Sequence, residues 1–379
     1  MGRLQVGIQT SCTAPLWVER VSMRMGALAR IDSILLPDHY QSFIPRHVWK
    51  PEYTPAAKIV PSPDAFFDPF VMLGMMAARY RRVRLGTGVT ETFRRHPATL
   101  AQAFVTLDHM TRGRAILGIG NGERENVEPY GMAFQRRVGR LEEALTMIRR
   151  LWGSGGEPVS LDGPTWRLRD ALFATPLYKG RAPTLWVAAH APRMLGLTGR
   201  FADGWYPTQK MTGAEYGTKL GVIKAAAAEA GRSVDRFEPA LQVQVALGAG
   251  RRQVLERLVR LKPAGAMSLL MPGAAWAKHG LTHPLGADYE GFAEIVPNAV
   301  PHEAIAAAEG ALTPELLNEG IYAGTVQEVV DEIAPLVAAG LRHVVIWNLS
   351  PLASGGGAGD IVRQTQLVWR LKKLATNGI

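Results

Sequence analysis

A single cysteine, Cys12, stands in a chain of 379 residues. That excludes an intrachain disulfide and is compatible with a reducing compartment. A lone cysteine at the end of a first strand reads as buried filler rather than as a nucleophile. No uninterrupted apolar run reaches the length of a membrane span. The opening residues, MGRLQVGIQT, lack the apolar core of a secretion signal, so a cytoplasmic setting is expected. HExxH, CxxC and HxH spacings are missing, and no metal is expected. A GxSxG elbow is missing too, which argues against serine hydrolysis. Acidic residues are outnumbered 33 to 43 by basic ones, a net charge of +10. No helix-turn-helix, zinc-finger or single-strand-binding signature accompanies that excess, so nucleic acid is not an expected partner. The clusters Arg79–Arg84, Arg94-Arg95 and Arg136-Arg137 read as solvated surface. An anionic cofactor is the functional alternative, and a peripheral contact with anionic lipid is compatible with the same charge.

What is present is ample core material, 47% hydrophobic against 20% charged residues, and a βα rhythm along the whole chain. Strands are expected at Leu4–Thr10, Ile31–Leu36, Val83–Val89, Arg114–Gly118, Thr184–Ala189, Ala202–Tyr206, Pro239–Leu247 and His343–Trp347. Helical spacing separates them. Leu100, Phe104 and Leu107 follow Pro97, and Leu141, Leu145, Ile148 and Trp152 share one face of 137–152. Thr325 is a candidate N-cap for a helix over 324–339. About eight strands with no compositional break point to an α/β fold, a (β/α)8 barrel spanning residues 1–379 as one domain. Insertions are expected at 41–69, 155–181 and 263–320. The first is too long for an ordinary connection and is a candidate cap over a site. Ser354–Gly359 reads as disordered.

In such a barrel the active site lies at the C-terminal ends of the strands. Those ends carry Asp38 and His39, Gly88 and Val89, Asn121 and Glu123, and Ala188 to His190. Two strands close in sequence break into glycine, at Gly86-Thr87-Gly88 and at Gly118-Ile119-Gly120-Asn121-Gly122. Glycine there lets backbone approach a ligand, and the two breaks suggest one ligand read by successive loops. The second break has GxGxG rather than GxGxxG spacing and is not followed directly by a helix, which speaks against a dinucleotide fingerprint. His39 beside Asp38 suits acid/base work near neutral pH. Glu123 is either a solvated charge beside Arg124 and Glu125 or, in an apolar cleft, a proton donor with a raised pKa. His96, before Pro97, reads as a helix-entry residue.

The runs Pro37-Asp38-His39-Tyr40, Thr92–Ala98, Arg114–Glu123 and Ala188-Ala189-His190-Ala191-Pro192 together resemble the bacterial luciferase-like superfamily, and within it the branch that uses the deazaflavin coenzyme F420. Met110–Gly120, Gly122–Glu125, Glu128–Gly131 and Trp276–Gly286 are similar to the phthiodiolone-type ketoreductases of mycobacteria. The resemblance implies an insertion-bearing TIM barrel, usually a homodimer, with the deazaflavin in its mouth. It implies a non-prolyl cis peptide at Gly88-Val89, Asp38 against the ring, and His39 and Glu123 as the acid/base pair. Asn121, Gly122, Ala188, Ala189 and His190 would border the phosphate chain. Where the sugar-phosphate dehydrogenases of the branch have a tryptophan, this chain has Phe43, which argues against a sugar phosphate. The function implied is hydride exchange between the coenzyme and a lipid-like ketone or secondary alcohol, with 263–320 covering the substrate through Met267–Met271 and Ala274–Trp276. The alternatives are an FMN-dependent monooxygenase on the same fold and a non-catalytic cofactor- or lipid-binding barrel.

Overall fold

The computed structural model describes residues 2–376. Its centre is a ring of parallel strands: β1 (Gln5–Gln9), β2 (Ser33–Leu36), β3 (Arg84–Thr87), β4 (Ala115–Ile119), β5 (Thr184–Val187), β6 (Gly204–Trp205), β7 (Glu238–Leu247) and β8 (His343–Asn348). Each pairs with the next, Gly7 opposite Ser33 and Leu35 opposite Gly86, for example, and β8 returns to β1 with His343 opposite Gln5. Pairing of Gly204 with Glu238 joins β6 to β7 and closes the eight-stranded barrel. Eight helices form the outer layer: α1 (Leu16–Leu28), α2 (Pro69–Arg79), α3 (Pro97–Thr111), α4 (Arg137–Trp152), α5 (Pro192–Phe201), α6 (Gly213–Glu229), α7 (Val326–Ala338) and α8 (Ala358–Leu371). Among the described residues no helix is long and apolar enough to cross a membrane.

The eight strands fall where the apolar runs predict them, and four of them stop at or one residue before a glycine or proline, at Pro37, Gly88, Gly120 and Gly248. The helix faces follow the spacing too. Leu141, Leu145, Ile148 and Trp152 of α4 are buried, each aliphatic side chain contributing roughly 2 kcal/mol of transfer free energy. His96 caps α3, its Nδ1 accepting from the Ala98 N–H at 3.1 Å. Thr325 and Glu328 cap α7 reciprocally.

Two expectations are corrected, and one insertion proves to have structure of its own. A short strand over Tyr322–Gly324 pairs with the end of β7, so Gly324, read as the first residue of a helix, ends a strand instead, and α7 begins only at Val326. Its apolar run is three residues, too brief to show a period. Ser354–Gly359 is ordered, since a turn of helix over Pro351–Ser354 packs there and α8 starts at Ala358. The insertion at 155–181 holds an antiparallel hairpin, Val159–Asp162 with Arg167–Ala171.

The lower end of the barrel is plugged by ions. Arg84 pairs with Glu238 at 2.5 Å, Trp186 Nε1 donates to the same carboxylate at 3.1 Å, and the buried His343 lies 3.6 Å away. Although burial alone would raise it, the Glu238 carboxyl is pushed down to about 2, chiefly by the Arg84 guanidinium and then by the nearby His343. A depressed acid stabilises the fold above its unfolded pKa and loses that contribution as pH falls through the folded one. Glu238→Gln, which leaves Arg84 without its partner, is therefore expected to lower stability by about 2–3 kcal/mol at pH 7 in urea titrations. The gap to the parent should narrow in acid as pH falls from about 4.5 towards about 2; a pH-independent gap would assign the loss to packing instead.

Candidate active site

At the upper end the strand-to-helix loops surround a cavity of about 1260 Å³. Its wall includes nine of the ten residues singled out from the sequence: Asp38, His39, Gly88, Val89, Asn121, Gly122, Glu123, Ala188 and His190. Ala189 is the exception. Its side chain is buried and its carbonyl accepts from Trp205 Nε1 at 2.8 Å, so it faces the layer between barrel and helices. Alternation along the strand end turns it away from its two neighbours.

The glycines of the two breaks divide by role. A Cβ at Gly86 would lie 2.1 Å from the Ile116 carbonyl oxygen, and one at Gly118 2.1 Å from that of Thr87. Those two are demanded by strand packing, not by a ligand. Gly88, Gly120 and Gly122 do line the cavity. The Gly88-Val89 peptide is cis, as the resemblance implies.

His39 sits in the loop after β2, with Phe43 edge-on at 5.0 Å and Phe66 at 5.4 Å between ring centroids. Its hydrogen bonding is set by a residue the sequence reading passed over. Asn126 Oδ1 accepts from the Tyr40 N–H at 2.7 Å, which fixes the amide so that its NH2 faces the site. That NH2 donates to His39 Nδ1 at 2.8 Å and to Glu125 Oε1 at 3.0 Å, with Glu123 Oε2 at 3.4 Å. An accepting Nδ1 places the imidazole proton on Nε2, on the opposite side of the ring. His39, Glu123 and Glu125 present ligand atoms within 4.8 Å of one another, a spacing a cation could bridge. The Asn126 amide occupies that junction.

The electrostatics follow from depth. Burial, reinforced by the Arg94 cation, pushes His39 down to about 4, so it is neutral at pH 7. Burial pushes the Glu123 carboxyl up to about 7, against the opposing pull of Arg94. Its side chain is 23% exposed, but into the cavity rather than to the outer surface. Glu125 is fully buried and raised well above the ordinary carboxylate range, by burial and then by the adjacent Glu123. At neutral pH the cluster thus holds a neutral imidazole beside two carboxyls, Glu123 balanced between acid and carboxylate and Glu125 shifted towards its acid form by burial and by Glu123.

Asp38 is held from three sides. Thr90 Oγ1 donates to it at 2.6 Å, Arg95 Nε at 3.1 Å, and Arg94 lies 3.2 Å from its other oxygen. Arg94 also pairs with Glu91 at 2.5 Å and is only 3% exposed. Reading Arg94-Arg95 as solvated surface is therefore wrong for Arg94. No spacing announces a buried arginine; only its two acidic partners, brought from 3 and 56 residues away, keep it inside. On the opposite wall, Lys219 donates to the His190 carbonyl at 2.9 Å, while His190 Nδ1 is buried without a partner. Burial and Lys219 push that imidazole down to about 4. Cys12 is buried, with its thiol raised by desolvation, consistent with filler.

The insertions close the chamber. Ser42, Phe43, Trp49 and Phe66 from the first line it, as do Met267, Leu270, Met271 and Ala274 from the third. Trp276 does not: it is fully buried in the insertion's own core against His283.

A family model described as luciferase-like monooxygenase matches residues 30–343. The chain is 42% identical over 340 residues to a phthiodiolone/phenolphthiodiolone dimycocerosates ketoreductase of Mycobacterium kansasii, covering 88% of this chain and 91% of that one. It is 31% identical to an F420-dependent glucose-6-phosphate dehydrogenase of Nocardia farcinica, over 91% and 92% of the two chains. Among solved structures, an F420-dependent secondary alcohol dehydrogenase in complex with an F420-acetone adduct superposes with a TM-score of 0.73 at 19% identity, covering 97% of this chain and 99% of that one.

Proposed function

This chain belongs to the luciferase-like monooxygenase family, and we propose that within it the protein is a deazaflavin-dependent ketone reductase acting on a lipid-like ketone, or on the matching secondary alcohol in reverse. The observation that carries the reading is the His39–Asn126–Glu123 cluster, a proton donor poised near pH 7 beside a neutral imidazole in an apolar chamber. The names of the relatives support it: one is a ketoreductase and another an F420-dependent dehydrogenase.

The walls fit an anionic, flat cofactor. His190 offers a buried ring nitrogen with no partner, Arg137 and Lys219 supply cations, and α5 starts at Pro192 directly after Ala188–Ala191, presenting the positive end of a ten-residue helix. When bound, the reduced deazaflavin supplies a hydride. The chain's own task is then to place the carbonyl and deliver a proton to its oxygen. His39, neutral with its proton on Nε2, can hydrogen-bond the carbonyl oxygen and so polarise it. Glu123 in its acid form gives up the proton as negative charge develops there. Phe43, Phe66 and Phe292 exclude water around this point.

Reduced coenzyme F420 mixed with purified protein and a long-chain ketone should be oxidised in a ketone-dependent manner. A second reading, an FMN-dependent monooxygenase, rests on the family's description. Side-by-side fluorescence titrations separate the two. F420 is expected to bind at least roughly tenfold more tightly than FMN; FMN binding with no F420 binding would establish the second reading.

A further inference from the structure

The wall of the active-site cavity does not stop at the barrel rim. Past Asn348 and Gln364, which are joined by a hydrogen bond of 2.8 Å, it continues down the outside of the barrel between the neighbouring helices α1 and α8. On α1 the lining residues include Trp17, Val21 and Met25, spaced four apart; on α8 they include Ile361, Thr365 and Val368, spaced four and three. Each set therefore occupies one helical face, and the two faces are turned to the same groove. The one charged side chain lining it from these two helices is Asp360, which already accepts from Arg363 at 2.8 Å and from Ser354. Trp17 and Val21 stay 56% and 41% exposed, an apolar strip left uncovered by the chain's own packing. Along α1, thirteen residues long, the groove runs about 20 Å.

We propose that this groove is a binding channel for the extended alkyl chain of the substrate, whose reacting carbonyl sits at His39 and Glu123. The inference rests on the ketone-reductase reading and adds where the chain lies. An occupant anchored in the mouth is favoured because groove and mouth are one continuous cavity, and the groove's walls carry no free charge to recognise a polar partner. The insertion side of the chamber, lined by Met267, Leu270 and Met271, is the competing route for the chain.

Two measurements on the full chain test it. A long-chain 2-alkanone carrying a diazirine at its far end is photolysed with the protein, and the adducts are mapped by mass spectrometry. Adducts are expected on the peptides of α1 and α8, falling several-fold in Val21→Arg and in Thr365→Arg, which place a cation in the groove without touching His39 or Glu123. In steady-state assays, KM is expected to fall about fourfold per added methylene in a series starting from butanone. That slope should flatten in Val21→Arg, while turnover of butanone itself stays at the parental level. Adducts confined to residues 263–320, or labelling and slope unchanged in both variants, would overturn the channel. So would a parent dimer that Val21→Arg converts to monomer with labelling unaltered, which would make the groove a surface covered by a second copy. If no ketone is turned over at all, the catalytic reading fails, and the adduct map alone decides the channel.

Discussion

Glu123→Gln is expected to slow ketone reduction by roughly two to four orders of magnitude, the usual worth of a positioned general acid. Most of the loss should fall on kcat, because the amide keeps the shape of the carboxyl and its hydrogen bond with Asn126. The pH profile carries the sharper signature. With its carboxyl pushed up to about 7 by burial, Glu123 is protonated below neutrality and ionised above it. Reduction by the parent should be level in mild acid and fall tenfold per pH unit above about 7; alcohol oxidation should show the mirror image. Glu123→Gln should abolish that limb. His39, pushed down to about 4, stays neutral throughout and cannot produce it. A parent profile that is flat through neutrality would transfer the donor role to His39 Nε2–H. Folding supplies a control. An acid whose folded pKa is raised loses stability as pH rises from its unfolded value of about 4.5 through 7, so the glutamine variant should be more stable than the parent above pH 7. Loss of rate at pH 8 therefore could not be laid to unfolding.

Arg94→Met is expected to cost about 3–5 kcal/mol of stability at pH 7, because it leaves Glu91 and part of Asp38 as buried carboxylates without their cation. The partners are 7% and 2% exposed, so water cannot replace the guanidinium. Asp38 retains Arg95 and Thr90; Glu91 retains only backbone N–H donors from Phe93 and Arg94. Urea titrations of parent, Arg94→Met and Arg94→Lys measure the cost, with lysine recovering part of it as a point charge without the forked geometry. The same substitution reaches the chemistry. Arg94 holds both Glu123 and His39 lower than burial alone would set them, so in the surviving folded protein the reduction limb near pH 7 should move upward. A variant with unchanged stability and an unmoved limb would show that Arg94 is coupled to neither.

Much of the site was legible before any tertiary structure. Asp38, His39, Gly88, Asn121 and Glu123 stand at strand ends, and strand ends are written in local hydrophobic period. Barrel closure then places them on one rim by geometry alone. What escaped were the residues that act through others. Asn126 looks like any loop asparagine, and Glu125 like one charge of a solvated run. Arg94 resembles its exposed neighbours. Each matters because of partners distant in the chain, Tyr40 and His39 for Asn126, Asp38 for Arg94. The opening glycines were legible as a set but not as individuals, since whether a missing Cβ serves a ligand or the adjacent strand depends on a neighbour's carbonyl oxygen.

By itself the sequence determined the order of the βα units, the faces of α3 and α4 and the caps of α3 and α7, because propensity, period and capping act over a few residues. Tertiary structure alone decided the ionisation of His39, Glu123 and Glu125, the burial of Arg94, the turning of Ala189 away from the cavity and the groove between α1 and α8. Those depend on desolvation and on charges tens of residues away, and desolvation exists only once the chain has closed around the group.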